Sequence, residues 1–152
     1  MPMKLAAPIE KDFPLEKSDE IYGNDGEPSM VTIRQAMQGA QERRTEVFSE
    51  VSRVMRTLPK DENDEIVLRS HWSYEKLKRM EVYLTMADCN VLDYDGTQLF
   101  RFRKDGDKQV LDMTVHEFTK AWDRLYPETA EEIHEKVLEV NLTWVGPLGS
   151  NY

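Results

Sequence analysis

Three histidines (His71, His116 and His134), one cysteine (Cys89) and an Asp-Tyr-Asp-Gly run at 93–96 are the residues from which catalytic or metal chemistry could be assembled. The histidines fall on different predicted elements. None has a second ligand at the i, i+4 spacing that puts two imidazoles on one helix face for zinc. His134 has Glu131 and Glu135 close in sequence, which is ordinary on a solvated helix face. Asp93 to Gly96 has the look of a calcium-loop fragment, but the twelfth position counted from Asp93 is Lys104, where such a loop needs a bidentate Glu. A tight turn is the better reading. Cys89 has no histidine base beside it, and no glycine-rich phosphate loop, nucleophile elbow or HExxH motif occurs. Carboxylates are plentiful, yet acid–base catalysis needs two of them held in a cleft with separated pKa values. The residues therefore assign no catalytic, cofactor-binding or metal-binding position, and the chain reads as a non-enzyme.

The arginines carry a different signal. The chain has 152 residues and a formal net charge of −9, which argues against binding nucleic acid through its phosphates. Residues 31–57 nevertheless hold five Arg against three Glu, a local +2, while residues 1–30 hold three Lys against seven acidic residues, a local −4. Arg43 and Arg44 fall at the edge and the inside of an apolar helical stripe. A guanidinium inside such a stripe must snorkel out or meet a buried carboxylate. Gly39, near the other margin, would let a neighbouring backbone approach closely, at about 1 kcal/mol of helix propensity relative to Ala.

These residues need elements to position them. The length suits one domain, and the single cysteine excludes an internal disulfide framework and fits a reducing cytoplasm. No apolar run suggests a signal peptide or a membrane span. Residues 1–29, with four prolines and the Gly-Asn-Asp-Gly-Glu-Pro cluster, read as an extended, partly flexible arm with a short strand near Phe13 to Leu15 or Ile21 to Tyr22. Residues 30–144 read as a single helical α+β domain, and residues 145–152 as a flexible tail. The fold class expected is α+β and predominantly helical: about four helices, a small antiparallel β-meander and the arm.

The first helix is expected from Thr32 to Leu58, with Thr32 and Gln35 as a capping box and Ile33, Met37, Phe48 and Met55 on one apolar face. Residues 66–72 are apolar and too short to divide between strand and helix. Ser73 would cap a second helix ending near Asp88 to Asn90. Asp95-Gly96 and Asp105-Gly106 predict hairpin turns in a meander of two or three strands, with Phe100 and Phe102 on one side and Arg101 and Arg103 on the other. Thr114 and Glu117 form a second capping box, leading a helix buried through Phe118, Trp122 and Leu125. After Pro127, a last helix buries Ala130, Ile133, Val137 and Leu138 and carries Glu131, Glu132, Glu135 and Glu139 mostly elsewhere. Aromatic residues and eight Met exceed what this core needs, so some of them, among them Trp72 and Trp122, are expected to form an adaptable surface for a partner helix.

The run from Glu27 to Phe48, "EPSMVTIRQAMQGAQERRTEVF", resembles the start of the conserved part of tail assembly chaperones from long-tailed, siphovirus-like bacteriophages, with its Val-Thr-x-Arg-Gln-Ala, Gln-Gly and Glu-Arg-Arg. "HWSYEKLKRMEVYLTMADCNVLDYDGTQLFRF" and "FTKAWDRLYPETAEEIHEKVLEVNLTW", with an Asn-x-x-Trp close, extend the resemblance over about residues 27 to 144. It implies a non-enzymatic assembly factor of the bacterial host cytoplasm, absent from the mature virion. Such a factor binds the tape measure protein, a long helical apolar polypeptide, keeps it soluble, and promotes polymerisation of the tail tube protein around it. Many members are made in two forms, the longer by programmed frameshifting. On this reading Met37, Arg43, Arg44, Phe48, Met55, Trp72 and Trp122 are the partner-binding residues, facing the tape measure protein or a second copy of the chain. No cofactor, nucleic acid or membrane is expected. The alternative is an acidic phage-encoded inhibitor that mimics DNA and blocks a host nuclease or defence protein. It accounts for −9 directly, but less well for a patterned apolar helix and a local +2. A small hydrolase ranks last, for want of a nucleophile–base pair.

Overall fold

The computed structural model of the chain describes residues 1–24, 26–57 and 63–144, with side chains described outside 51–57 and 63–73. The fold is α+β, with five helices among the described residues rather than about four. In chain order these are β1 (Glu10–Pro14), α1 (Glu16–Tyr22), β2 (Met30–Arg34), α2 (Gln38–Thr57), α3 (Asn63–Thr85), β3 (Met86–Cys89), β4 (Phe102–Asp105), β5 (Lys108–Leu111), α4 (Val115–Trp122) and α5 (Pro127–Val140). β1, β2 and β3 form an antiparallel sheet in that order, and β4 and β5 form a separate hairpin. The expected tail, 145–152, lies outside the described residues.

The start of the expected first helix is a strand. Met-Val-Thr-Ile-Arg alternates, and its β-branched residues Val31 and Ile33 are both fully buried while their neighbours are half-exposed. Period two therefore wins over the capping-box spacing. The two supposed capping residues hold β1 instead. Thr32 Oγ1 donates to Asp12 across the β1–β2 pair at 2.6 Å, and Gln35 Oε1 accepts from the Ile9 amide. The helix begins only where Gln41 N–H reaches the Met37 carbonyl.

The supposed arm is also partly folded. β1 pairs with β2 from Glu10↔Arg34 to Pro14↔Met30, and Ile21 and Tyr22 close a helix rather than a strand. α1 has no cap of its own: Leu15 stands at its N-cap position without a side-chain acceptor. Glu132 of α5 supplies one from outside. Its carboxylate accepts from the Lys17 and Ser18 amides, each at 3.0 Å, and from Ser18 Oγ at 2.7 Å. A negative group at a helix N-terminus satisfies free N–H groups and opposes the helix dipole. Glu132, expected on a solvated face, is consequently buried.

Residues 66–72 resolve as helix, and Ser73 lies inside α3 rather than capping it. α3 stops at Thr85, earlier than expected, because Met86 to Cys89 pair with β2. The second Asp-Gly hairpin forms, with Gly106 at φ +63° in the turn between β4 and β5. The first does not grow into strands. Asp95 accepts from both the amide and the hydroxyl of Thr97, and only a single bridge, Leu92↔Gln98, follows. Local side-chain bonds have displaced the ladder there. Phe100 is buried and Phe102 half-buried, while Arg101 and Arg103 face out, as the alternation required.

Thr114 and Glu117 form the reciprocal capping box that opens α4. Phe118 and Trp122 are buried and Leu125 packs against the same core. Phe118 sits between Tyr83, Phe100 and Trp122, with ring centroids 5.2, 5.4 and 5.9 Å away. Ile133 and Val137 of α5 complete the core beneath β2.

Candidate functional site

The expected partner surface divides into residues that face solvent and residues used inside. Trp122 packs in the core around Phe118 and also borders a cleft with Glu75, Lys78, Pro127 and Ala130. Arg44 is also internal. It does not snorkel out, because its Nε donates to Glu81 Oε2 at 2.6 Å and Glu81 is fully buried. The second oxygen, Oε1, lies 2.8 Å from His134 Nε2. One carboxylate thus joins α2, α3 and α5.

The surroundings fit a guanidinium. Arg44 lies over the rings of Phe48 and Trp144, 5.1 Å from each centroid, and Trp144 Nε1 donates to Gln41 Oε1 at 2.8 Å. Gln41, Arg44 and Phe48 follow the i, i+3, i+7 spacing of one helix face. Stacking replaces part of the hydration that Arg44 loses. The constellation ties three helices together at a buried site, its carboxylate shared between two neighbours with His134 buried beside it.

Met37 and Arg43 remain on the outer side of the same helix start, with Phe48 half-buried. Arg43 lies over Tyr83 at 5.6 Å and makes no ion pair among the described residues. Arg34, Gly39, Ala40 and Arg43 border a cleft of about 370 Å³ whose floor includes Tyr83, Met86 and Leu111. A Cβ built at Gly39 would meet nothing within 4 Å, so its backbone is open to close approach. Arg34 is already paired with Glu10 at 2.7 Å and donates to the Gln109 carbonyl, which leaves Arg43 as the cleft's available cation. The side chains of Met55 and Trp72 lie outside the described residues.

Sequence reasoning placed Arg44 correctly against the stripe but missed Glu81 and His134. The signal for Glu81 was its position four residues after Leu77, inside the apolar face of α3. His134 adjoins Ile133 on α5, which gave a weaker hint. Cys89 is buried, and burial raises its thiol to about 12, far from a nucleophile's range. Among the described residues, no group of three or more His, Cys, Asp or Glu could hold a metal ion, and no helix is long and apolar enough to cross a membrane.

No protein-family model, curated protein or solved structure matches the chain.

Proposed function

We propose that this chain is a phage tail assembly chaperone that binds the tape measure protein, keeps it soluble in the host cytoplasm, and passes it to the tail tube protein without entering the mature virion. The observation that supports this reading is the open cleft at the start of α2. It combines a cation that makes no ion pair among the described residues, Arg43, with the accessible backbone of Gly39 and an apolar floor. An amphipathic helix docks in such a groove through apolar anchors, and a carboxylate on its flank pairs with the arginine. The formal charge of −9 keeps a complex with an apolar polypeptide in solution. The sequence resemblance over residues 27 to 144 supplies the identity of the helix.

The test is a titration of helical segments of the tape measure protein into the purified chain. Saturable binding that weakens at least tenfold in Arg43→Glu supports the assignment. Binding that is absent, or indifferent to Arg43 and to Gly39→Leu, removes it.

A further inference from the structure

A second surface stands apart from the α2 cleft. Tyr22 and Tyr126 stack face to face, with centroids 3.6 Å apart and planes 4° from parallel. Beside them stand Leu92, 59% exposed, and Tyr94, 95% exposed. Tyr126 lines two clefts, of about 330 and 430 Å³, which also share Val91, Leu92 and Thr129. Large apolar side chains gathered on a surface mark a docking site. The rim carries net negative charge: Asp19 and Glu27 line the first cleft, Glu128 accepts from the Tyr22 hydroxyl beside it, and in the second cleft Arg124 is neutralised by Asp93. The occupant should therefore bring apolar side chains and a cation.

Residues 1–7 are such a segment. They form no helix or strand and are exposed throughout, with Met3 at 88% and Leu5 at 80%. In an extended segment Met3 and Leu5 project to the same side about 7 Å apart, with Lys4 between them. Met3, Lys4 and Leu5 cannot all reach their own clefts together. The segment leaves the fold at Ile9, which is held to Gln35, whereas the first cleft begins at Leu15, beyond the other end of β1. Six residues of extended chain separate those points by about 20 Å. Leu5, four residues before Ile9, reaches about 14 Å and Lys4 about 18 Å, so only Met3 could span that distance and the three residues cannot be seated at once.

We propose that Met3, Lys4 and Leu5 of one copy dock in the clefts around Tyr126 of a second copy, with Lys4 directed to Asp19 and Glu27. Donor segment and acceptor clefts lie at opposite ends of β1, so the contact joins different surfaces of the two copies. Repeated, it gives a head-to-tail series rather than a closed symmetric dimer. The inference is independent of the chaperone reading, since it needs no protein other than this one.

Sedimentation of the full chain tests it. The average mass should climb steadily with concentration, past the dimer. The Leu92→Asp/Tyr94→Ala variant, altered only at exposed positions, and a chain lacking residues 1–7 should each stay monomeric, with unchanged circular dichroism. Mixed in equal amounts, they should stop at a heterodimer, because one intact segment and one intact pair of clefts remain. A wild-type chain that is monomeric up to about 1 mM overturns the proposal. So does assembly that survives in either variant, or a mixture that forms no heterodimer.

Discussion

Arg44 and Glu81 form an ion pair inside the protein, 2.6 Å from Nε to Oε2, with the carboxylate fully buried and the guanidinium almost so. Removing one partner strands the other charge away from water, which typically costs about 3–5 kcal/mol. Arg44→Met and Glu81→Gln should each lower stability in urea by roughly that amount. Arg44→Met/Glu81→Gln should cost clearly less than the two single changes together, because neither charge is then stranded. Strict additivity would show that the two groups are not coupled.

Glu132 caps a helix that does not cap itself. Glu132→Ala should destabilise the protein by about 2–3 kcal/mol, in line with loss of charge-assisted hydrogen bonds at a buried site. Amide exchange should accelerate first over α1, with α5 protected until the whole fold opens. Uniform acceleration across the molecule would remove the capping role.

Acid should destabilise the fold through specific carboxylates. For Asp19, burial pushes the pKa up, but the hydroxyl and amide of Ser29 and the Asn24 side chain outweigh it and hold the group below its usual value. Glu117 is held low by the Thr114 amide and then Arg101, and Glu128 by the Tyr22 hydroxyl. A folded pKa below the unfolded one stabilises above the unfolded value, about 4, and that contribution is lost as pH falls through the folded value. The urea midpoint should therefore drop below about pH 4. Asp19→Asn should flatten part of the drop. A midpoint that rises on acidification would contradict the assigned directions.

Cys89 should be silent to thiol reagents in the native state, since burial both hides it and holds its pKa near 12. Reaction with a chromogenic disulfide should follow unfolding, speeding up in urea in step with loss of helical signal. Rapid labelling of the native protein would show that β3 opens locally.

These properties were unequally legible in the sequence. The capping box at Thr114, the stripe of Phe118 and Trp122 and the inner face of α5 were readable because local spacing and tertiary packing agree there. The segment from Thr32 to Met37 misled because a capping pattern and a strand alternation overlap, and only pairing with β1 and β3 decides between them. α1 was hidden because its cap comes from Glu132, more than a hundred residues away. For the candidate site, the position of Arg44 left snorkelling and a buried carboxylate both open, and only the fold brings Glu81 to it. Arg43 was legible as an edge residue, and only the fold shows Gly39 and Tyr83 beside it.

The central claim concerns solubility of a partner. Co-expression of the tape measure protein with the wild-type chain, and separately with Arg43→Glu, measures the soluble and co-purifying fraction of that partner directly. A chaperone of this kind should give a soluble, co-purifying tape measure protein with the wild type and a marked loss with Arg43→Glu, both chains being equally folded. An insoluble tape measure protein in the presence of folded wild-type chain would contradict it.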